Sequence, residues 1–125
     1  MCSSRERGSS ERAWARRVAD KLNRARDAIA AHRQEVEGPD GLYEELRFEA
    51  PRLLPRVHQL MTQLERIERE ATDLATEVRR VEDGDLQGLP SIRGDAEHLL
   101  MSLRDVMAKE SDLMFERFNE PPALD

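Results

Sequence analysis

Apolar residues recur at helical spacing in three long stretches of the chain. The first stretch follows Ser10, a residue type suited to an N-cap. Its stripe is Trp14, Val18, Leu22, Ala25, Ile29, His32 and Val36, with steps of three and four that keep one helix face. Gly38-Pro39 ends it. Residues 40–50 predict a short helix with Leu42, Leu46 and Tyr43 turned inward. Pro51 then breaks the chain, because its ring removes a donor and disfavours the α region for Ala50. Over 52–82 the pattern is strictest. Leu53, Val57, Leu60, Leu64, Ile67, Ala71, Leu74, Val78 and Val81 alternate steps of four and three, a coiled-coil-like seam. Asp83-Gly84-Asp85 breaks this helix and a loop runs to Pro90. The third long helix is expected from Ser91 to Asn119. Its stripe is Ile92, Ala96, Leu99, Leu100, Leu103, Val106, Met107, Leu113, Met114 and Phe118. Doubled apolar positions make that stripe wide, as suits a helix touching two neighbours.

At 1.5 Å per residue the three long helices would each measure roughly 40–46 Å. Near-equal lengths and short connections predict an all-α fold: an elongated antiparallel three-helix bundle, with a short additional helix before the second long one. Residues 1–9 are expected to be a disordered lead-in, 10–119 a single helical-bundle domain, and 120–125 a C-terminal tail. The slim core leaves little room for a deep enclosed pocket.

Composition agrees with this picture. In 125 residues, 37 % are charged and 4 % aromatic, and no apolar run is long enough to span a membrane. Residues favoured in strands are sparse, while Leu, Ala, Glu and Arg dominate. The single Cys excludes a disulfide framework. Cys2 sits in a polar terminus without the apolar core of a signal segment, so the expected compartment is cytoplasmic and the thiol incidental.

The net charge of −6 argues against a dedicated nucleic-acid binder. Charge is nonetheless uneven. Residues 1–26 hold eight basic and three acidic side chains, +5, so the remainder carries −11. Arg12, Arg16, Arg17, Lys21 and Arg24 could form a contact for an anionic surface or a partner. A solvated, Arg-rich helix face is the simpler reading.

Candidate chemistry is thin. His32, His58 and His98 fall one to each long helix, and bundle metal sites draw ligands from facing helices. Thr62 follows His58 by four residues and Ser102 follows His98 by four, so no helix offers two ligands one turn apart. Glu110 stands where the third stripe calls for an apolar residue. A buried carboxylate there needs a partner, such as an Arg of the first or second helix, and could be a ligand or a general acid. The expected alternative is an exposed, frayed end of the seam. Together His32, His58, His98 and Glu110 are the only candidate metal set. No nucleophile elbow and no glycine-rich phosphate cradle occurs. Met61, Met101, Met107 and Met114 could line a soft groove for a partner helix, with bundle-core filler as the alternative.

Three short stretches carry a family resemblance. Ala31-His32-Arg33-Gln34-Glu35-Val36-Glu37-Gly38-Pro39-Asp40-Gly41-Leu42-Tyr43, then Glu49-Ala50-Pro51-Arg52-Leu53, resembles hemerythrin-like (HHE) helical-bundle proteins of actinobacterial type. Ser111-Asp112-Leu113-Met114-Phe115-Glu116 resembles the last helix of the same group. The matches cover about a fifth of the chain. The resemblance implies a helical bundle with a non-haem di-iron centre held by several His and two carboxylates. Only His32 sits where a first-helix ligand would be. The paired histidines of the middle helices are absent, and Val106 stands where the last helix tends to have His. A member with this ligand set would have lost the iron.

With a strong heptad and no catalytic set, the expected function is a non-enzymatic interaction or scaffold protein, self-associating as a homodimer or binding a helical partner. The alternatives are a degenerate hemerythrin-like di-iron, oxygen-binding protein with non-haem iron, and binding of nucleic acid or an anionic surface through the basic first helix.

Overall fold

The computed structural model describes residues 3–118, with side chains from Ser10 onward. Four α-helices follow one another: α1 (Ser3–Glu37), α2 (Leu42–Glu49), α3 (Leu54–Glu82) and α4 (Leu89–Glu116). A short 3-10 turn, Pro51–Leu53, joins α2 to α3. There is no strand among the described residues. Cys2 and the tail 120–125 lie outside them.

Side-chain pairs across the helices give the topology. Arg26 reaches Thr72 and Arg33 reaches Glu68, so α1 and α3 run antiparallel. Gln63 meets Asp105 and Arg56 meets Glu116, so α3 and α4 are antiparallel as well. Tyr43 and Glu45 of α2 join Glu110 and Arg117 of α4. The result is the expected up-down-up bundle, with α3 central and α2 laid across one end.

All nine predicted seam positions from Leu53 to Val81 are buried. On α1 the innermost row is Ala15, Leu22, Ile29 and Val36, seven residues apart. This repeat lets long helices keep one face inward over their whole length.

Helix ends differ from expectation in physically simple ways. α1 starts at Ser3 rather than after Ser10. Arg5, Glu6 and Arg7 are good helix formers, and Gly8 alone does not break the helix. α4 starts at Leu89 and takes Pro90 into its first turn, where the missing N–H costs nothing. It ends at Glu116, and Arg117 and Phe118 form a turn before the expected Asn119. Two glycines are required by their surroundings. Gly84 has φ +107°, a turn conformation that side chains disfavour. Gly41 is buried against the last turn of α1, where a Cβ would lie 2.6 Å from the Val36 carbonyl oxygen and also strike that of Glu35. That close approach sets α2 over the end of the core.

The wide stripe of α4 is only half used. Ile92, Leu99, Val106 and Leu113 are buried, with Ala96 and Leu103 packed beside them. Leu100, Met107, Met114 and Phe118 of the same predicted stripe are exposed. The sequence-based expectation of two covered flanks is therefore corrected, because a three-helix bundle supplies neighbours to one side of α4 only.

Candidate functional site

Among the described residues the bundle contains one buried polar cluster, at the end that α2 covers. Glu110 projects from α4 into the core with only 5 % of its surface exposed. Two groups meet it. The Tyr43 hydroxyl donates to Oε2 at 2.7 Å. His32 Nε2 lies 2.7 Å from Oε1 and 3.1 Å from Oε2. With the proton on Nε2, the imidazole donates across both carboxylate oxygens. Three helices thus contribute one residue each.

The local sequence explains the convergence. Glu110 occupies the inward row that also holds Leu103, four residues from Val106 and three from Leu113. His32 continues the row of Val18 and Ala25 on α1. Tyr43 follows Gly41 by two residues, so the tight seating of α2 carries its ring inward until only 4 % is exposed. A buried tyrosine hydroxyl needs a partner, and a buried carboxylate needs donors. Each meets the other's need here. The expected exposed end of the seam is corrected, and the partners are a tyrosine and a histidine rather than an arginine.

Burial raises the Tyr43 pKa well above its ordinary value. The hydrogen bond to Glu110, the Glu110 charge and the charge of Glu37 push it the same way. The phenol therefore stays protonated and donating through the neutral range. A Tyr–Glu–His cluster can hold or relay a proton in principle. The Tyr43 hydroxyl and His32 Nε2 are both spent on Glu110, and the open groove described below is lined by other residues. The arrangement pins the register of three helices.

The other candidate ligands lie elsewhere. His98 is 70 % exposed in its side chain and 3.9 Å from Glu70 of α3. His58 is exposed twelve residues away along α3, about 18 Å by helical rise. His98 and Glu110 are likewise twelve residues apart on α4, again about 18 Å. Metal–ligand bonds are only about 2 Å, so His98 cannot share an ion with Glu110. No group of three or more His, Cys, Asp or Glu side chains is placed to hold a metal among the described residues. The structure joins His32 to Glu110 and leaves His58 and His98 apart.

The basic residues of α1 do not form one patch. Arg12, Arg16, Arg17, Lys21 and Arg24 are all exposed, and no ion pair to them occurs among the described residues. Arg16 lies beside Arg79 and Glu82 of α3. Arg17 lines an open groove of about 450 Å³ with Trp14, Leu89, Pro90 and Arg93, at the start of α4. Helical geometry puts Arg17, Lys21 and Arg24 on one side and Arg12 and Arg16 about a third of a turn or more away.

Sequence reasoning grouped His32 and Glu110 only within a four-residue candidate metal set, not as a hydrogen-bonded pair, and it did not assign Tyr43 a partner. A tyrosine at an inward position and a glutamate in an apolar row were the available signals. Comparison with protein-family models, with curated proteins and with solved structures finds no match to this chain.

The second surface of interest is the outer side of α4. Leu100 (48 % exposed), Met101, Met107, Met114, Phe115 (72 %) and Phe118 (73 %) all face outward. With Ala108 and Ser111 they follow seven-residue spacings and form one stripe, roughly a third of a turn from the buried row. Phe48 of α2, one turn beyond Glu45, is also exposed. The Glu45–Arg117 ion pair at 2.7 Å holds that helix beside the end of α4. The Arg117 guanidinium stacks 4.5 Å over Phe118. Among the described residues no helix is long and apolar enough to cross a membrane.

Proposed function

We propose that this protein is a non-enzymatic helical interaction module that docks a partner helix on the outer side of α4. One observation carries this reading. Six large apolar side chains lie on one face of a well-packed helix whose buried row, about a third of a turn away, is used in the core. Exposed apolar residues scattered singly need no explanation, but a contiguous stripe at heptad spacing is the pattern of a helix-binding surface. Methionine suits it, since its unbranched thioether adapts to a partner's contour. The Tyr43–Glu110–His32 cluster supports the reading by fixing the end of α4 that carries the two exposed phenylalanines.

The test is the introduction of negative charge on this apolar face. Met107→Glu and Phe115→Glu are both at exposed positions. Helix content by circular dichroism, and the unfolding midpoint at concentrations low enough to prevent association, are expected to stay as in the parent chain. Association, read by sedimentation and by co-purification, is expected to disappear. A doubly substituted chain that still binds everything the parent binds would refute the module.

A further inference from the structure

We infer that the partner helix is a second copy of this chain, paired antiparallel through α4 about a two-fold axis near Ala108 and Ser111. This assignment rests on reading the outer side of α4 as a docking surface. It is argued from area, register and charge.

The six exposed side chains leave roughly 700 Å² of surface in one stripe, close to the ~800 Å² per partner of a standard stable interface. Most of the area that a standard interface needs is therefore present on α4 itself.

The stripe repeats by sevens. Leu100, Met107 and Met114 form one row, Arg104, Ser111 and Phe118 the next, and Met101, Ala108 and Phe115 the third. Seven-residue rows are what two helices need to stay in contact along their length. Size varies along the rows. In two of the three rows the small residues Ala108 and Ser111 lie at the centre, with bulky residues at both ends, while Met107 fills the middle of the other. Antiparallel pairing puts small against small at the crossing point and lets the helices approach closely. It sets Leu100 and Met101 of one copy against Phe118 and Phe115 of the other, twice by symmetry.

Charge selects the direction. Arg104 and Asp112 are exposed, and no ion pair to either occurs among the described residues. A parallel pair would set Arg104 against its own counterpart. The antiparallel pair carries Arg104 over Phe115 of the other copy, a cation–π geometry, and toward Asp112 beside it. The surface complements itself in one orientation only.

Site-directed cross-linking of the full chain tests this. Cys2→Ser removes the only native thiol. In that background Ala108→Cys and Ser111→Cys are expected to give a disulfide-linked dimer on mild oxidation. Leu100→Cys and Phe118→Cys are expected to stay monomeric alone and to cross-link when mixed. Sedimentation equilibrium is expected to show twice the chain mass, halved by Phe115→Glu. Self-cross-linking at Leu100→Cys as readily as at Ala108→Cys would overturn the antiparallel geometry. A parent chain of single-chain mass at all concentrations would overturn the second-copy assignment. The docking-face reading falls by a different result, namely that Phe115→Glu alters nothing the parent chain binds.

Discussion

α3 and α4 carry the same heptad spacing and meet different fates. On α3 one narrow stripe is apolar and every position of it is buried between α1 and α4. On α4 the apolar surface is about twice as wide, and the bundle covers only the half that faces α3 and α1. The contrast shows that periodicity says which residues can share a face. Coverage depends on how many neighbours the fold supplies. The uncovered half of α4 is the apolar surface that the fold leaves exposed.

The largest expected effect comes from breaking the covered seam. Leu64 is fully buried in α3, and Leu64→Ala should cost about 2–5 kcal/mol through lost burial and a residual cavity. Urea unfolding measures it, as a lower midpoint at unchanged slope. A loss comparable to that of a surface substitution would mean that α3 is not the central helix.

Next comes the polar pin that holds the end of α4. Glu110→Ala leaves the Tyr43 hydroxyl and His32 without their acceptor, and should cost about 1–3 kcal/mol. Glu110→Gln, which keeps an acceptor oxygen in place, should recover part of that loss in the same urea experiment. Equal losses for the two variants would show that the charge, not the hydrogen bonding, dominates.

The same pin predicts a pH dependence. An unfolded tyrosine loses its proton near pH 10, whereas burial and Glu110 hold the Tyr43 proton to higher pH in the folded chain. The folded state therefore keeps a proton that the unfolded state has given up. This contribution to stability is complete below about pH 10 and is lost as pH rises beyond it. Tyr43 is the only tyrosine, so ultraviolet titration of the phenol reads the folded state directly. Its midpoint should shift down to the ordinary value when the chain is unfolded in urea. Coincident titrations of folded and unfolded chain would exclude the buried hydrogen bond.

The smallest effect on stability is expected at the uncovered half of α4. Met101→Ser or Met107→Ser should change the unfolding free energy of the single chain by no more than about 0.5 kcal/mol. The comparison with Leu64→Ala is sharpest when both are measured at concentrations low enough to prevent association. A large loss at Met107 under those conditions would place it in the core and erase the difference between the two faces.

Much of this was legible along the chain. The run of threes and fours from Leu53 to Val81 specified a helix and its inward row, because helix geometry converts spacing into direction without reference to anything distant. Gly38-Pro39 and Pro51 marked the breaks around α2 for equally local reasons. Fold class, element order and the α3 core follow from such rules. The pairing of His32 with Glu110, seventy-eight residues apart, and of both with Tyr43 followed from none of them. Each residue advertised a need for a partner, but which one satisfied it depended on the register of three helices and on Gly41 letting α2 sit against α1. The same holds for α4. Its sequence made both flanks apolar, and only the tertiary arrangement decided which flank was covered, because the burial of a side chain is a property of the neighbours it meets and not of its own spacing.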